Sequence, residues 1–536
     1  MVAPADSFVA DRLPPPESWP QFLFDRPELQ YPEQMNAAVE LLDRAVSEGE
    51  GGRTAIVNDS GQWSYAELKR LSDRIAGLLV ADGGLIPGNR VLLRGPNSFT
   101  LIACWFAVLK AGGVVVATMP MLRAGELGPI LHKAEISHAI VDSRCLEDWR
   151  AAADASPHLR WTATYDGDSG TGALEALAAE QPDGFTPHIG ASDAPALIAF
   201  TSGTTGVPKG CVHDHRALLA PADSFARHVL KPEPGQRWCG SPPIAFTFGL
   251  GALVLFPFRF RGTAVTIENG SPQAMLDAVA RHRVQMLFTA PTAYKAMLGL
   301  LADADIGSLK ACVSAGEHLP PAVLAAWEAA TGLRLINGIG ATELMHIFIA
   351  AAGDAIVPGA TGKVVPGYQA CVLDADGNPL ALGDGRLAVR GPTGCRYLDD
   401  RRQGSYVTDG WNVTGDSYRM DAEGYFHYLA RSDDLIVSAG YNIAAPEVEN
   451  ALLAHAAVAE CAVIGVPDAD RGMIVKAYIV CSNGSSGSAA LAAELQAHVK
   501  ATIAPYKYPR AVEFVSALPK TLTGKLQRYR LREEAG

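Results

Sequence analysis

The run Thr201-Ser202-Gly203-Thr204-Thr205-Gly206-Val207-Pro208-Lys209-Gly210 gathers four hydroxyls, three glycines and a lysine into ten residues. Gly203, Gly206 and Gly210 let the backbone bring its amides close to a ligand. Amides, hydroxyls and an ammonium on one loop suit the oxygens of a polyphosphate. A Walker A loop needs Gly-Lys-Ser/Thr, whereas Lys209 stands between Pro208 and Gly210, and no G-x-G-x-x-G spacing is present. The plain alternative is a Ser/Gly-rich surface turn. It leaves unexplained why so many donors follow the short apolar run 196–200, which reads as a buried strand.

Three further clusters carry reactive groups. In Asn337-Gly338-Ile339-Gly340-Ala341-Thr342-Glu343, expected just after a buried strand, Thr342 can bond a phosphate and Glu343 offers a hard oxygen for Mg²⁺. Read alone, Glu343 is equally an acidic residue in the first turn of a helix. Thr414-Gly415-Asp416 ends in a carboxylate able to accept both hydroxyls of a ribose, and Arg431 is spaced to reach the same sugar; a surface turn and an ordinary ion pair remain open. Lys525, on the loop Thr523-Gly524-Lys525, either reaches a site formed by domain folding or belongs to a basic tail with Arg528, Arg530 and Arg532. His213-Asp214-His215 lacks a nearby third ligand, so capping and packing are favoured over metal binding.

These residues need a scaffold larger than one core: 536 residues predict at least two domains. A net charge of −12 argues against nucleic acid as a partner. Nine cysteines without a C-x-x-C pair suggest reduced thiols and a cytoplasmic setting. No signal peptide is expected at the N-terminus, and the longest apolar run, 244–256, is too short to span a membrane.

Strands at 54–57, 90–94, 114–117, 139–141 and 197–200 alternate with helices, including one over 35–46, one capped by Ser64 with Glu67, and one over 98–111. A second alternating half follows through 263–267, 271–282, 286–288, 310–316 and 333–336. That order predicts α/β sheets covered by helices. Residues 151–195 read as a surface excursion with little periodicity, and the turn-rich stretch from 360 as a small β subdomain. After a charged turn at 431–434 comes a compact α+β unit: a helix at 445–453, strands at 461–466 and 475–482, a helix at 489–503 and a strand at 511–515. The expected division is 1–430, a hinge at 431–434, and 435–536.

Taken together and in this order, the motifs resemble the adenylate-forming superfamily of acyl-CoA synthetases, adenylation domains and luciferases, from about Trp63 to Arg532. The resemblance implies a large N-terminal domain of two α/β sheets plus a β-barrel-like piece, and a small mobile α+β C-terminal lid. It implies ATP, Mg²⁺ and coenzyme A as reactants. By the same likeness, Thr201, Ser202, Gly203, Thr204, Thr205, Gly206 and Lys209 hold the β- and γ-phosphates, while Gly316 and Glu317, with Asn337, Gly338 and Gly340, border the adenine. Thr342 meets the α-phosphate, Glu343 the Mg²⁺, and Asp416 and Arg431 the ribose. Lys525 is the adenylation lysine, Asp433 the hinge residue, and Ser438 and Gly440 face the CoA tunnel once the lid rotates.

Phe246, Thr247, Phe248 and Gly249, with His346, are expected to line the acyl pocket. The pattern Thr342-Glu343-x-x-His346-Ile347-Phe348 resembles benzoate-CoA and 2-aminobenzoate-CoA ligases, implying a small aromatic carboxylic acid. His346 either reaches a ring substituent or the carboxylate, or is a packed histidine on a helix. The hinge-following segment Leu435-Ile436-Val437-Ser438-Ala439-Gly440 lacks the lysine several relatives carry there. Arg259 and Arg261 fit either a CoA phosphate contact or a solvated strand edge. Transfer of the acyl group to a phosphopantetheine carrier protein is the alternative to free CoA, and a nucleotide-binding protein without catalysis is a third reading. A homodimer is left open.

Overall fold

The computed structural model describes residues 5–170, 172–201, 208–431, 435–438, 441–468, 472–482, 485–503, 505–520 and 526–535. Two α/β sheets dominate the first two-thirds of the chain. One has six strands, in the order Lys209–Asp214, Pro195–Thr201, Val114–Thr118, Arg90–Arg94, His138–Asp142 and Trp161–Tyr165. It is parallel except for the hairpin of its first two strands.

The other has nine, from Lys363–Val364 through Ile347–Ala350, Leu335–Gly340, Ala311–Ser314, Met286–Thr289, Arg237–Gly240, Thr263–Val265 and Thr54–Asn58 to Gly61–Ser64. Its middle is parallel and both ends are antiparallel. The two sheets share one core. Helix Phe99–Lys110 is buried at every position and packs on helix Tyr65–Ala81, with residues of both sheets in contact with the pair. A helix apolar on nearly every face, its terminal Lys110 paired with Asp43 and Asp73, has no solvent face to offer and lies inside. Ser64 and Glu67 form the expected capping box.

A third, antiparallel sheet joins Pro379–Leu380, Gln369–Leu373, Gly383–Arg390, Trp411–Met420 and Val407–Thr408, with Phe426–Arg431 added on Trp411–Met420. Beyond it, the hairpin Leu435–Ser438 and Tyr441–Ala444 leads into helix Ala445–Leu453. The closing unit pairs Val458–Asp468 with Gly472–Cys481 and sets Ala511–Phe514 parallel to the latter, with helices Ala489–Thr502 and Arg528–Ala535. Helix Ala445–Leu453 packs against strand Phe426–Arg431, and Asn450 Nδ2 lies 3.1 Å from His318 Nε2.

The structure departs from the sequence reading in several places. The first long helical run occupies 37–50, because the Asn36 side chain accepts from Ala38 N and so caps the run behind Met35. Residues 151–195 are not a plain excursion: Trp161–Tyr165 forms the half-buried edge of the six-stranded sheet, and Ala173–Ala179 is a helix. Asn337, Gly338 and Gly340 lie within strand Leu335–Gly340 rather than after it. His346 is not on a helix: Met345, at φ +67, ends the turn Thr342–Leu344 and sends the chain into strand Ile347–Ala350.

Arg259 ends a helix and Arg261 lies in the turn after it, so neither is on a solvated strand edge. Arg259 Nε and Nη2 each lie 3.0 Å from an oxygen of the buried Asp223, and Arg261 Nη2 lies 2.8 Å from Glu48. Among the described residues, no helix is long and apolar enough to cross a membrane.

Candidate active site

Thr201 ends one strand and stands opposite Lys209 at the start of the next, so the two residues flank the glycine-rich loop. Residues 202–207, with Ser202, Gly203, Thr204, Thr205 and Gly206, lie outside the described residues, as do Asp433, Gly440 and Lys525. Among the described residues, the buried Thr201 hydroxyl has no hydrogen-bond partner.

Three side chains meet across the site. Lys209 Nζ lies 2.9 Å from Tyr397 Oη and 3.4 Å from Glu343 Oε1, and Tyr397 Oη lies 2.5 Å from Glu343 Oε1. The carboxylate can only accept and the ammonium only donate, so the phenol donates to Glu343 and accepts from Lys209. Burial, then the Glu343 charge, raises the Tyr397 phenol far above its ordinary range, which keeps that proton in place. Tyr397 lies outside the sequence reading, for it follows Lys209 by 188 positions and carries no loop signature.

His213 braces this arrangement through the backbone of the Glu343 turn. His213 Nε2 donates to Thr342 O at 2.8 Å and so ties the Thr342–Leu344 turn to strand Lys209–Asp214. Burial lowers His213 and His215 to about 4, leaving both neutral. His215 Nδ1 accepts from Ala37 N, and Asp214 caps helix His215–Pro221. Capping and packing are the expected roles, and the pair sits at a strand-to-helix junction. Among the described residues, no cluster of three or more metal-ligating side chains occurs.

Gly316, at φ +89, follows strand Ala311–Ser314 with open space where a Cβ would stand. Asn337 pairs with Ser314 across the sheet, and among the described residues the buried Ser314 hydroxyl has no hydrogen-bond partner. Gly338 and Gly340 lie against neighbouring chain: a Cβ would come within 2.7 Å of Ile347 at the first and 2.8 Å of the His346 backbone at the second. Gly316 and Glu317 run into His318, whose ring stacks on Tyr428 at 5.3 Å while its Nε2 meets Asn450. Neither His318 nor Tyr428 stands out in the sequence. Asp416 and Arg431 face each other on adjacent strands, Nη1 3.5 Å from Oδ1. Tyr406 feels both Glu343 and Asp416, and among the described residues its buried hydroxyl has no hydrogen-bond partner.

His346 lies in an aromatic box. Its ring is 4.6 Å from that of Phe256, edge-on, 5.5 Å from Phe225 and 5.6 Å from Phe248. The imidazole is buried beside the Phe248 backbone, and burial drives it down to about 3. Thr247, Phe248 and Gly249 form the first turn of a helix continuing to Arg259, which also brings in Phe256. Phe246 stands outside this ring cluster. Phe225 comes from the helical run 222–230, too distant in sequence to be picked out. Ser438 is buried on its hairpin strand.

Residues 42–396 match the AMP-binding enzyme family, and 447–525 match its C-terminal domain. The chain belongs to the AMP-binding, adenylate-forming enzymes. It is 35% identical over 513 residues to a benzoate–CoA ligase of Thauera aromatica, covering 94% of this chain and 97% of that protein. An anthranilate CoA ligase solved with anthranoyl-AMP superposes with a TM-score of 0.89 at 30% identity, over 95% of this chain and 99% of its own. A benzoate CoA ligase from Burkholderia xenovorans LB400 superposes with a TM-score of 0.83 at 29% identity, over 93% and 100%.

Proposed function

We propose that this chain is an ATP-dependent aryl-CoA ligase that activates a benzoate-type acid as its acyl-adenylate and then forms the CoA thioester. The aromatic box around His346, three residues beyond Glu343, carries this reading. Aromatic walls favour a flat ring in offset or edge contact. A buried, neutral imidazole among these rings offers one donor and one acceptor, which supports a substrate bearing a polar substituent, and 2-aminobenzoate is the acid we favour. The similar proteins named above are CoA ligases, which does not favour transfer to a carrier protein.

In this reading the loop from Thr201 to Lys209 holds the β- and γ-phosphates, Gly316, Glu317, Asn337, Gly338 and Gly340 border the adenine, and Asp416 and Arg431 take the ribose. The buried, acceptor-only carboxylate of Glu343 fits Mg²⁺, a cation that takes oxygen ligands, and would hold it. Bound there, Mg²⁺ would neutralise phosphate charge. Thr342 meets the α-phosphate, Lys209 offsets charge on the leaving pyrophosphate, and Lys525 bridges the attacking carboxylate and the α-phosphate. Rotation about Asp433 then brings Ser438 and Gly440 to the site for thioester formation. Nine free cysteines fit a cytoplasmic setting.

A panel of aryl acids, read by CoA consumption and AMP release, tests the substrate class. Turnover of benzoates with 2-aminobenzoate foremost is expected; turnover confined to aliphatic acids contradicts the proposal.

A further inference from the structure

We propose that Tyr397 is a positioning residue for adenylation: its hydroxyl spaces Lys209 from Glu343 so that both stay available to a metal–nucleotide complex. The inference rests on the reading of Lys209 and Glu343 as phosphate- and metal-facing groups.

Tyr397 is held from several directions. Segment 395–398 runs beside strand Lys209–Asp214, with Val212 N donating to Arg396 O at 2.8 Å and Leu398 N to Gly210 O at 2.9 Å. Cys211 pairs with Tyr397, which makes Lys209 the diagonal neighbour on the same face. The buried Gln403 accepts from Tyr397 N at 2.9 Å, and Asn412 Oδ1 accepts from Cys395 N at 2.8 Å. The ring meets Tyr406 edge-on at 5.8 Å, and Lys209 Nζ lies 5.0 Å and 5.9 Å from the two ring centroids. Two aromatic faces therefore help to hold the ammonium.

The Lys209–Glu343 separation of 3.4 Å exceeds the ~2.7–2.9 Å of a close charge-assisted pair. The phenolic oxygen bonds both groups more closely than they approach each other. Every hydrogen bond and ion pair to Glu343 among the described residues falls on Oε1, which leaves Oε2 for a cation. Without the hydroxyl, lysine and carboxylate are free to close into a direct pair. Each would then have to be pulled from the other before it met phosphate or metal.

The test uses the full chain and its Tyr397→Phe, Glu343→Gln and double variants. Binding of ATP with Mn²⁺, without acid or CoA, is measured by calorimetry, and thermal midpoints check folding. Loss of a residue that supports a metal ligand weakens binding by about 10–100-fold, and that is the fall expected for Tyr397→Phe. The double variant should bind no more weakly than Glu343→Gln alone, because Tyr397 acts through that carboxylate. The KM for ATP should rise, while the rate from supplied benzoyl-AMP and CoA stays within about two-fold. Unchanged binding in Tyr397→Phe with weakened binding in Glu343→Gln would overturn the role of Tyr397 alone. Fully additive losses in the double variant would also overturn it. If Glu343→Gln binds the metal–nucleotide as tightly as the parent, the underlying reading of Glu343 falls and the proposal with it.

Discussion

Asp416 and Arg431 stand directly opposite each other on adjacent antiparallel strands, the guanidinium 3.5 Å from the carboxylate. Gly415 beside them takes φ +77, and a Cβ there would come within 3.3 Å of Arg431 Nη2. Losing a charged hydrogen-bond partner costs about 1.5–3 kcal/mol, so Asp416→Ala should raise the KM for ATP some 10–100-fold and leave that for the acid nearly unchanged. Gly415→Ala should cost about 1–2 kcal/mol of stability through the left-handed backbone and weaken ATP binding by a smaller factor. Steady-state kinetics at varied ATP check both. An unchanged KM in Asp416→Ala contradicts the ribose role.

At the aromatic box, Gly249 and Gly251 have no room for a side chain. A Cβ on Gly251 would stand 2.4 Å from His346 Cδ2, and one on Gly249 would stand 2.2 Å from the Pro243 carbonyl. Gly251→Ala should displace the imidazole and lower kcat/KM for aryl acids by about tenfold or more, near 1.4 kcal/mol, with ATP binding intact. Gly249→Ala meets backbone that cannot swing aside and should lower the thermal midpoint. Full aryl-acid activity in Gly251→Ala would remove His346 from the acyl pocket.

Lys110 is fully buried between Asp43 and Asp73, 2.6 Å from each carboxylate, with Ser72 Oγ at 2.9 Å. Lys110→Met leaves Asp43 without its lysine and Asp73 with Lys69 alone, and should destabilise the fold by about 3–5 kcal/mol. Urea unfolding reads this directly. A loss below about 1 kcal/mol, the scale of a surface pair, would show that the triad is not closed to water.

Buried histidines make stability depend on pH. Burial lowers His213, His215 and His318 from the ordinary 6.5 to about 4. Between those values the unfolded chain binds protons that the folded chain refuses, so stability falls as pH drops from 6.5 toward 4 and is complete above 6.5. For each histidine the loss grows by about 1.4 kcal/mol per pH unit across that window. Apparent melting temperatures from pH 7.5 to 4.5 should decline once pH passes below 6.5, and His215→Asn should flatten the decline. A level profile across that window contradicts the assignment.

Much of this is legible in the sequence because the signals are local. The capping box at Ser64, the alternation of short apolar runs with helices, and the loop between Thr201 and Lys209 each declare themselves within a few residues. Lys209 and Glu343 stand out as site residues from their motifs and do come together. What escapes depends on pairing between distant segments. Tyr397 gains its place from an edge alignment with strand Lys209–Asp214, and Phe225 and Phe256 turn toward His346 only through helix packing. The turn at Met345 also hides, because a positive φ at a non-glycine residue leaves no compositional trace.

The central claim is that one site joins an aryl acid to AMP before a thiol arrives. Exchange of labelled pyrophosphate into ATP, with acid present and CoA absent, tests it most directly in the parent chain and in Lys525→Ala. The account predicts exchange that requires an aryl acid and collapses in the variant, with AMP and the aryl-CoA appearing once CoA is added to the parent. Exchange that needs no acid, exchange undiminished in Lys525→Ala, or release of ADP instead of AMP would contradict it.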